Sequence, residues 1–228
     1  MEKISISNIV EFRRKKSAAS KAALINKLKN PKPKIEDNEE GGNYWIHSLS
    51  TIGNTFKEDS NELILAKIDI LLDKQETAKN SQTKSMFQKN IDILQRFEEY
   101  DFSQLRPQAK ITYLKRPKHK SILIIEDLPI QVLPHHVFMF EEDGVKKVGA
   151  CWFVAKIKEY TIDELAIFTD ALYQYLYSNY GEEYHLSYNF CVVADAMNLN
   201  TISYSEIKAG HVPALLNSTV AFMKTLLN

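Results

Sequence analysis

Ser121–Tyr188 reads SILIIEDLPIQVLPHHVFMFEEDGVKKVGACWFVAKIKEYTIDELAIFTDALYQYLYSNYGEEYHLSY. Three extended runs come first: Ser121–Glu126, Gln131–Glu142 and Val145–Lys158. Asp143-Gly144 separates the last two, and this dipeptide between strand-like runs signals a hairpin, because both residues tolerate the left-handed backbone of a tight primed turn. A helix is predicted over Thr161–Tyr180. Thr161 and Glu164 stand at capping-box spacing, so each side chain can satisfy an orphan backbone donor of the first turn. Leu165, Phe168, Leu172, Tyr175 and Leu176 give that helix a buried face, and Gly181 supplies the stop. Tyr184–Ala194 then returns as a strand.

Working outward, Thr201–Ile207 reads as one more strand. Pro213 opens a final helix with Leu216, Val220, Met223 and Leu227 on one side. Upstream, Ser60 is a plausible N-cap for a helix whose stripe is Ile64, Ile68, Leu71 and Leu72. The pattern breaks around Asn80, and Phe87, Ile91, Leu94 and Phe97 mark a second helix ending near Tyr100. Two such short-linked helices pack as an antiparallel hairpin. Ser17–Leu28 is Ala-rich and compatible with helix, stopped by Asn30-Pro31-Lys32-Pro33. Residues 31–43 read as an exposed linker, and residues 3–10 as a short strand or the lead-in to a helix. The expected organisation is a basic arm and linker over 1–43, a helical hairpin region over 44–105, and an α/β core over 106–228. The fold class is α+β: a helical N-terminal region followed by a mixed sheet flanked by helices.

Composition narrows the function classes. With 228 residues, 44% apolar and 25% charged, the chain has the makeup of a globular protein. Acids and bases cancel at 29 each, so no global field draws it to nucleic acid or anionic membrane. No apolar run approaches the ~20 residues that span a bilayer, and Met1-Glu2-Lys3-Ile4 lacks a signal-peptide core. A cytoplasmic location without membrane attachment is expected. Cys151 and Cys191 both lie in apolar strand-like runs and are expected to be reduced, buried thiols.

Neutrality hides a local asymmetry. Arg13, Arg14, Lys15, Lys16, Lys21, Lys27, Lys29, Lys32 and Lys34 crowd a stretch without acids, and Lys110, Lys115, Arg116, Lys118 and Lys120 form a second cluster. Such blocks are the electrostatic footprint of phosphate binding. Arg13, Arg14, Lys15, Lys16, Lys115, Arg116, Lys118 and Lys120 are therefore candidate nucleic-acid contacts, against the alternative of a solvated helix face plus a linker.

The order β-β-β-α-β with a helix in front resembles the core of the PD-(D/E)XK nucleases, the restriction-endonuclease-like fold that includes RecB-like and phage-exonuclease-like branches. The resemblance covers about residues 95–207. It implies an Asp on one strand and an acid-x-Lys on the next, whose carboxylates hold a divalent metal that activates water. The family's Pro-Asp falls here on Pro134-His135, and its acid-x-Lys falls in Gly149-Ala150-Cys151-Trp152. A Gln-x-x-x-Tyr on the following helix falls on Glu164 to Phe168. With His135, Glu164 and Phe168 at those positions, the resemblance implies a degenerate site holding no metal. One literal match competes: Asp195, Glu206 and Lys208 spell D-x10-E-x-K and would form a catalytic site needing Mg²⁺, with Glu126 as another migrated acid. His135 and His136 are adjacent on a strand and would point to opposite faces.

Other schemes find less. Seven glycines leave no phosphate-binding loop, and neither cysteine has a basic neighbour that would activate it. His47, His119, His185 and His211 are isolated. Tyrosines, by contrast, cluster at 173, 175, 177, 180, 184 and 188, with Tyr173, Tyr177 and Tyr180 on a helical face distinct from the Leu172–Leu176 stripe. An exposed strip there would suit a protein partner or base stacking. The expected function is a non-catalytic nuclease-like module binding a partner protein or nucleic acid, by analogy in a bacterial nucleic-acid-processing or phage-defence complex. The alternatives are an active metal-dependent nuclease and a homo-oligomeric scaffold.

Overall fold

A two-residue turn organises the centre of the molecule. In the computed structural model, which describes residues 3–31, 44–115 and 121–227, Asp143 and Gly144 both take positive φ, 54° and 74°. They join two antiparallel strands in the register Glu142↔Val145 through His136↔Cys151, as a type I′ turn dictates.

In chain order, β1 (Ile4–Ser5) leads directly into α1 (Ile6–Arg14), followed by α2 (Ala18–Lys29). Three helices come next: α3 (Ile46–Glu58), α4 (Glu62–Thr77) and α5 (Ser81–Arg96). The strands then follow as β2 (Thr112–Leu114), β3 (Ile122–Ile125), β4 (Leu128–Gln131), β5 (His136–Glu142) and β6 (Val145–Val154). The chain closes with α6 (Ile162–Tyr180), β7 (His185–Asp195), β8 (Thr201–Ser203), α7 (Tyr204–Lys208) and α8 (Leu216–Thr225). No helix among the described residues is long and apolar enough to cross a membrane.

The main sheet has the order β2-β5-β6-β7-β8. Only the β6–β7 pair is parallel, and α6 makes the connection between them. Alternate side chains feed two cores. Val137, Val148, Ala150, Cys191 and Val193 pack with Leu165, Leu172 and Leu176 of α6, and with residues of α1 and α8. Phe138, Phe140, Cys151, Phe153 and Val192 pack with Ile52 and Phe56 of α3, Leu71 of α4 and Leu94 of α5. The sheet is thus sandwiched between helices, which is why β6 is buried over most of its length. Cys151 and Cys191 fall on opposite faces and both are free thiols.

The α6 helix follows its sequence closely. Thr161 caps it and the reciprocal Glu164 bond completes the box. Gly181 is the C-cap, but its φ of −66° makes no use of glycine's left-handed freedom.

Several expectations need correction. The run 121–158 is not one meander: β3 and β4 close on each other across Glu126-Asp127 and form a separate small sheet with β1, ordered β1-β4-β3. The first neighbour of β5 is β2, three residues that carry too little pattern to be seen. Helix α3 is an addition to the expected helical hairpin, and its Leu49, Ile52 and Phe56 stand at helical spacing and are buried. Leu72 lies outside the buried stripe of α4, at 42% exposure. Residues 4–14 do not belong to an arm. β1 pairs with β4, and Ile4, Ile6, Ile9, Val10 and Phe12 are core. The expected strand at 201–207 stops at Ser203, whose capping box with Glu206 turns the chain into α7. The linker over 32–43 lies outside the described residues.

Candidate functional site

One irregularity in the central sheet builds a cleft. Val148 faces Leu186 and Ala150 faces Cys191, so residues 187–190 of β7 stand opposite Gly149 alone. Only glycine allows this, since a Cβ at 149 would lie 2.6 Å from the Phe190 carbonyl oxygen and 2.9 Å from the Phe138 ring. Ser187 is buried and its Oγ accepts the Phe190 N–H at 3.2 Å, which ties the bulge. Tyr188 and Asn189 are left on its exposed outer side. Bulges of this kind re-aim side chains.

Across from the bulge stand the last turns of α6. Tyr173 stacks flat on Tyr204 of α7, with centroids 3.6 Å apart and planes 6° from parallel. Tyr188 leans on both rings at 5.7 Å. Burial, with the hydrogen bond to Tyr188 and the neighbouring hydroxyls, pushes Tyr173 up to about 12. Tyr177 is 67% exposed and Tyr188 40% exposed. Together with Tyr184, His185, Asn189 and the hairpin residues Glu142 and Lys147, they line a cleft of about 600 Å³. Of the expected strip, Tyr173 and Tyr177 belong to this cleft, and Tyr184 and Tyr188 join them from the wider tyrosine cluster. Tyr175 and Tyr180 are buried, and Tyr180 donates to the Lys115 carbonyl at 3.3 Å. Tyr204 had no local signal, because its partner lies 31 positions away on α6.

The D-x10-E-x-K residues do not converge. Asp195 is fully buried at the end of β7; Oδ2 accepts from Tyr160 N and Oδ1 from Met197 N, each at 2.9 Å. Burial raises its pKa against these two bonds. Glu206 Oε2 accepts from Ser203 N at 2.8 Å and Ser203 Oγ at 3.2 Å. Ser203 sits opposite Val192, three residues down the strand from Asp195, which is about 10 Å of strand rise. Oxygen ligands of one hard cation lie within about 2.6 Å of it, so two carboxylates anchored that far apart do not share one. Lys208 lies instead over the Tyr188 ring, 5.9 Å from its centroid. Glu126 occupies the β3–β4 turn, exposed. Among the described residues, no group of three or more His, Cys, Asp or Glu is gathered to hold a metal ion.

The positions that the nuclease resemblance singles out carry packing. His135 precedes β5 and its Nδ1 accepts the Phe153 N–H at 3.2 Å. Its ring lies so close to α3 that a Cβ at Gly53 would stand 2.8 Å from it. His136 Nε2 meets the Gly53 carbonyl at 2.8 Å. Both histidines therefore engage one helix, contrary to strict strand alternation, because His135 lies just outside the strand. Phe168 is buried edge-on against Trp152 and Tyr160. Glu164 receives Arg14 through Nε and Nη2, both at 2.6 Å. Burial alone would raise the Glu164 pKa; Arg14 and the Thr161 N–H outweigh it, and the net shift is downward.

The basic candidates divide. Arg14 also donates to the carbonyls of Lys158 and Glu159, so its guanidinium is a clamp on the start of α6. Arg13 donates to Thr219 Oγ1 at 3.1 Å, and Lys15 pairs with Glu11 at 2.8 Å. Lys16 and Lys115 are exposed. Arg116, Lys118 and Lys120, like Lys32 and Lys34, lie outside the described residues. Comparisons with protein-family models, with curated proteins and with solved structures found no match to this chain.

Proposed function

We propose that this chain is a binding module with a nuclease-like layout and no metal-dependent catalysis, and that it engages its partner at the tyrosine-lined cleft. The strand succession β2-β5-β6, then α6, then β7 beside β6, with α5 in front, supports the PD-(D/E)XK-like reading of the fold. At the positions where that family keeps its acids, the chain has His135 bound to Phe153 N and the buried run Gly149–Cys151. Shared layout does not confer function, so the site carries the argument. The observation that carries it is the pair of outward tyrosines, Tyr177 and Tyr188, beside the stacked Tyr173–Tyr204 rings. Large rigid rings with polar tips supply contact area at low entropic cost, which is why tyrosine is enriched at interfaces.

The test is photo-crosslinking in the native host from p-benzoylphenylalanine placed at 177 or at 188. A discrete adduct from both positions supports the reading. No adduct from either, or Mg²⁺-dependent phosphodiester cleavage that Asp195→Ala abolishes, overturns it. A second reading, nucleic-acid contact along α1 and α2, is favoured by exposed Arg13, Lys16, Lys27 and Lys29. It requires an affinity that falls steeply with salt and adducts sensitive to nuclease.

A further inference from the structure

Resting on the cleft reading above, we infer that the cleft's partner is an extended cationic peptide, rich in lysine or arginine, with its charged heads over the tyrosine faces and against the neighbouring acidic turns. The rings provide the first half of that recognition. A cation within about 6 Å of an aromatic centroid is attracted by the ring quadrupole. The chain already makes this contact with itself, since Lys208 Nζ sits 5.9 Å from the Tyr188 centroid. Tyr177, more exposed than Tyr188, presents another ring face to solvent.

Charge provides the second half and decides against a polyanion. Two acidic turns border the cleft, neighbours at the same end of the parallel strands β6 and β7, where Lys147 pairs with His185. The hairpin tip carries Glu141, Glu142 and Asp143, and Glu182 and Glu183 fall between Gly181 and Tyr184, both of which line the cleft. All five carboxylates are on exposed residues. Against them stand Lys146, Lys147 and Lys208, and Lys147 is spent in an ion pair with Glu142. Asp143, Glu182 and Glu183 form no ion pair with a described residue. A strand of phosphates laid across these tyrosines would meet the net negative charge of the two turns, whereas lysine or arginine side chains would meet complementary charge and stacking surface together. The basic residues of this chain that suit nucleic acid belong to α1 and α2. Arg14 there grips Glu164 in the first turn of α6, nine residues and about 14 Å of helix rise from Tyr173.

The experiment is isothermal titration calorimetry of the full chain with nona-arginine, nona-glutamate and a nine-nucleotide oligothymidine. Three proteins are compared: wild type, Tyr177→Ala/Tyr188→Ala, and Asp143→Asn/Glu182→Gln/Glu183→Gln. All five positions are on the surface, so each variant is expected to fold, and circular dichroism checks it. The expected result is saturable nona-arginine binding, weakened at least tenfold by the tyrosine pair and at least fivefold by the charge variant, with no heat from nona-glutamate. Nona-arginine binding that neither variant weakens overturns the inference. Oligothymidine binding that the tyrosine pair abolishes also overturns it, in favour of base stacking. If nona-arginine gives no binding while crosslinks from 177 and 188 still form, the cleft reading stands and the cationic-peptide inference falls. If the crosslinks fail too, both fall.

Discussion

Arg14 offers a sharp quantitative test, because the sequence assigns it to a phosphate-binding cluster while the structure makes it a fastener. The perturbation is Arg14→Ala. It removes two 2.6 Å bonds to the Glu164 carboxylate and two bonds to the carbonyls of Lys158 and Glu159. The pair is neither fully buried nor free in solvent, with side chains 22% and 11% exposed. Breaking a buried pair costs about 3–5 kcal/mol, and an exposed one about 0–1 kcal/mol. Glu164 keeps its bond from the Thr161 N–H and its place at the helix N-terminus. A cost of about 2–3 kcal/mol results. In a chain of this size each kcal/mol moves Tm by about 2–4 °C, so a fall of about 4–12 °C is expected by circular dichroism. The cycle with Glu164→Ala should show coupling of about 1.5–2.5 kcal/mol. The pH dependence has a definite sign. The Glu164 pKa is lowered in the folded chain, so its stabilisation is present above the unfolded value near 4.5 and is lost as pH falls further. The gap between wild type and Arg14→Ala should therefore narrow below about pH 4. A Tm change under about 1 °C, or coupling below about 0.5 kcal/mol, would refute the clamp and return Arg14 to the solvent-facing set.

Other outcomes follow from the same geometry. Gly149→Ala should cost about 1–3 kcal/mol in chemical denaturation, because the Phe190 carbonyl cannot retreat without opening the 187–190 bulge; it should also weaken any cleft ligand, and a neutral substitution would count against the bulge. Asp170 is buried and its pKa is raised by desolvation, opposed by the bond from Gln174. A raised carboxyl destabilises the fold as pH climbs through and above the unfolded value near 3.8. Asp170→Asn should therefore raise Tm at neutral pH and lose that advantage in acid; an equal gain at all pH values would refute this. Glu11, held down to about 2 by Lys15 and Lys156, stabilises above its ordinary value of 4.5, with the gain lost as pH falls toward 2. Being partly exposed, it is worth no more than about 1 kcal/mol, and Glu11→Gln should flatten that limb of the acid titration. Cys151 and Cys191 are fully buried with raised pKa values and should react with a disulfide reagent only after denaturation.

Features set by short stretches of chain were legible in the sequence. The Asp143-Gly144 turn and the Thr161/Glu164 capping box each involve a few neighbouring residues whose backbone demands are local, and both stand where expected. Sheet membership is not local. Ser121–Ile125 and Gln131 carry strand-like composition, but their separation into a small sheet, in which β4 pairs with β1 more than a hundred residues upstream, is decided by packing against α1 and α6. The three residues of β2 carry too short a pattern for period-2 reading. For the site, the tyrosine cluster was visible and the cleft was not, since it depends on a four-residue bulge and on Tyr204 arriving from α7. Glu206 looked like an acid on a strand end. The Ser203–Glu206 spacing is a capping box that turns the chain into a helix and commits the carboxylate to the backbone.

On the reading proposed here, the tyrosine cleft is where this chain meets its partner. Hydrogen–deuterium exchange of the full chain, alone and bound to the protein captured by the crosslinks, tests it most directly. Slowed exchange concentrated in residues 173–190 and 142–147 is the expected result. Protection confined to α1 and α2, with residues 173–190 exchanging as in the free chain, would contradict it.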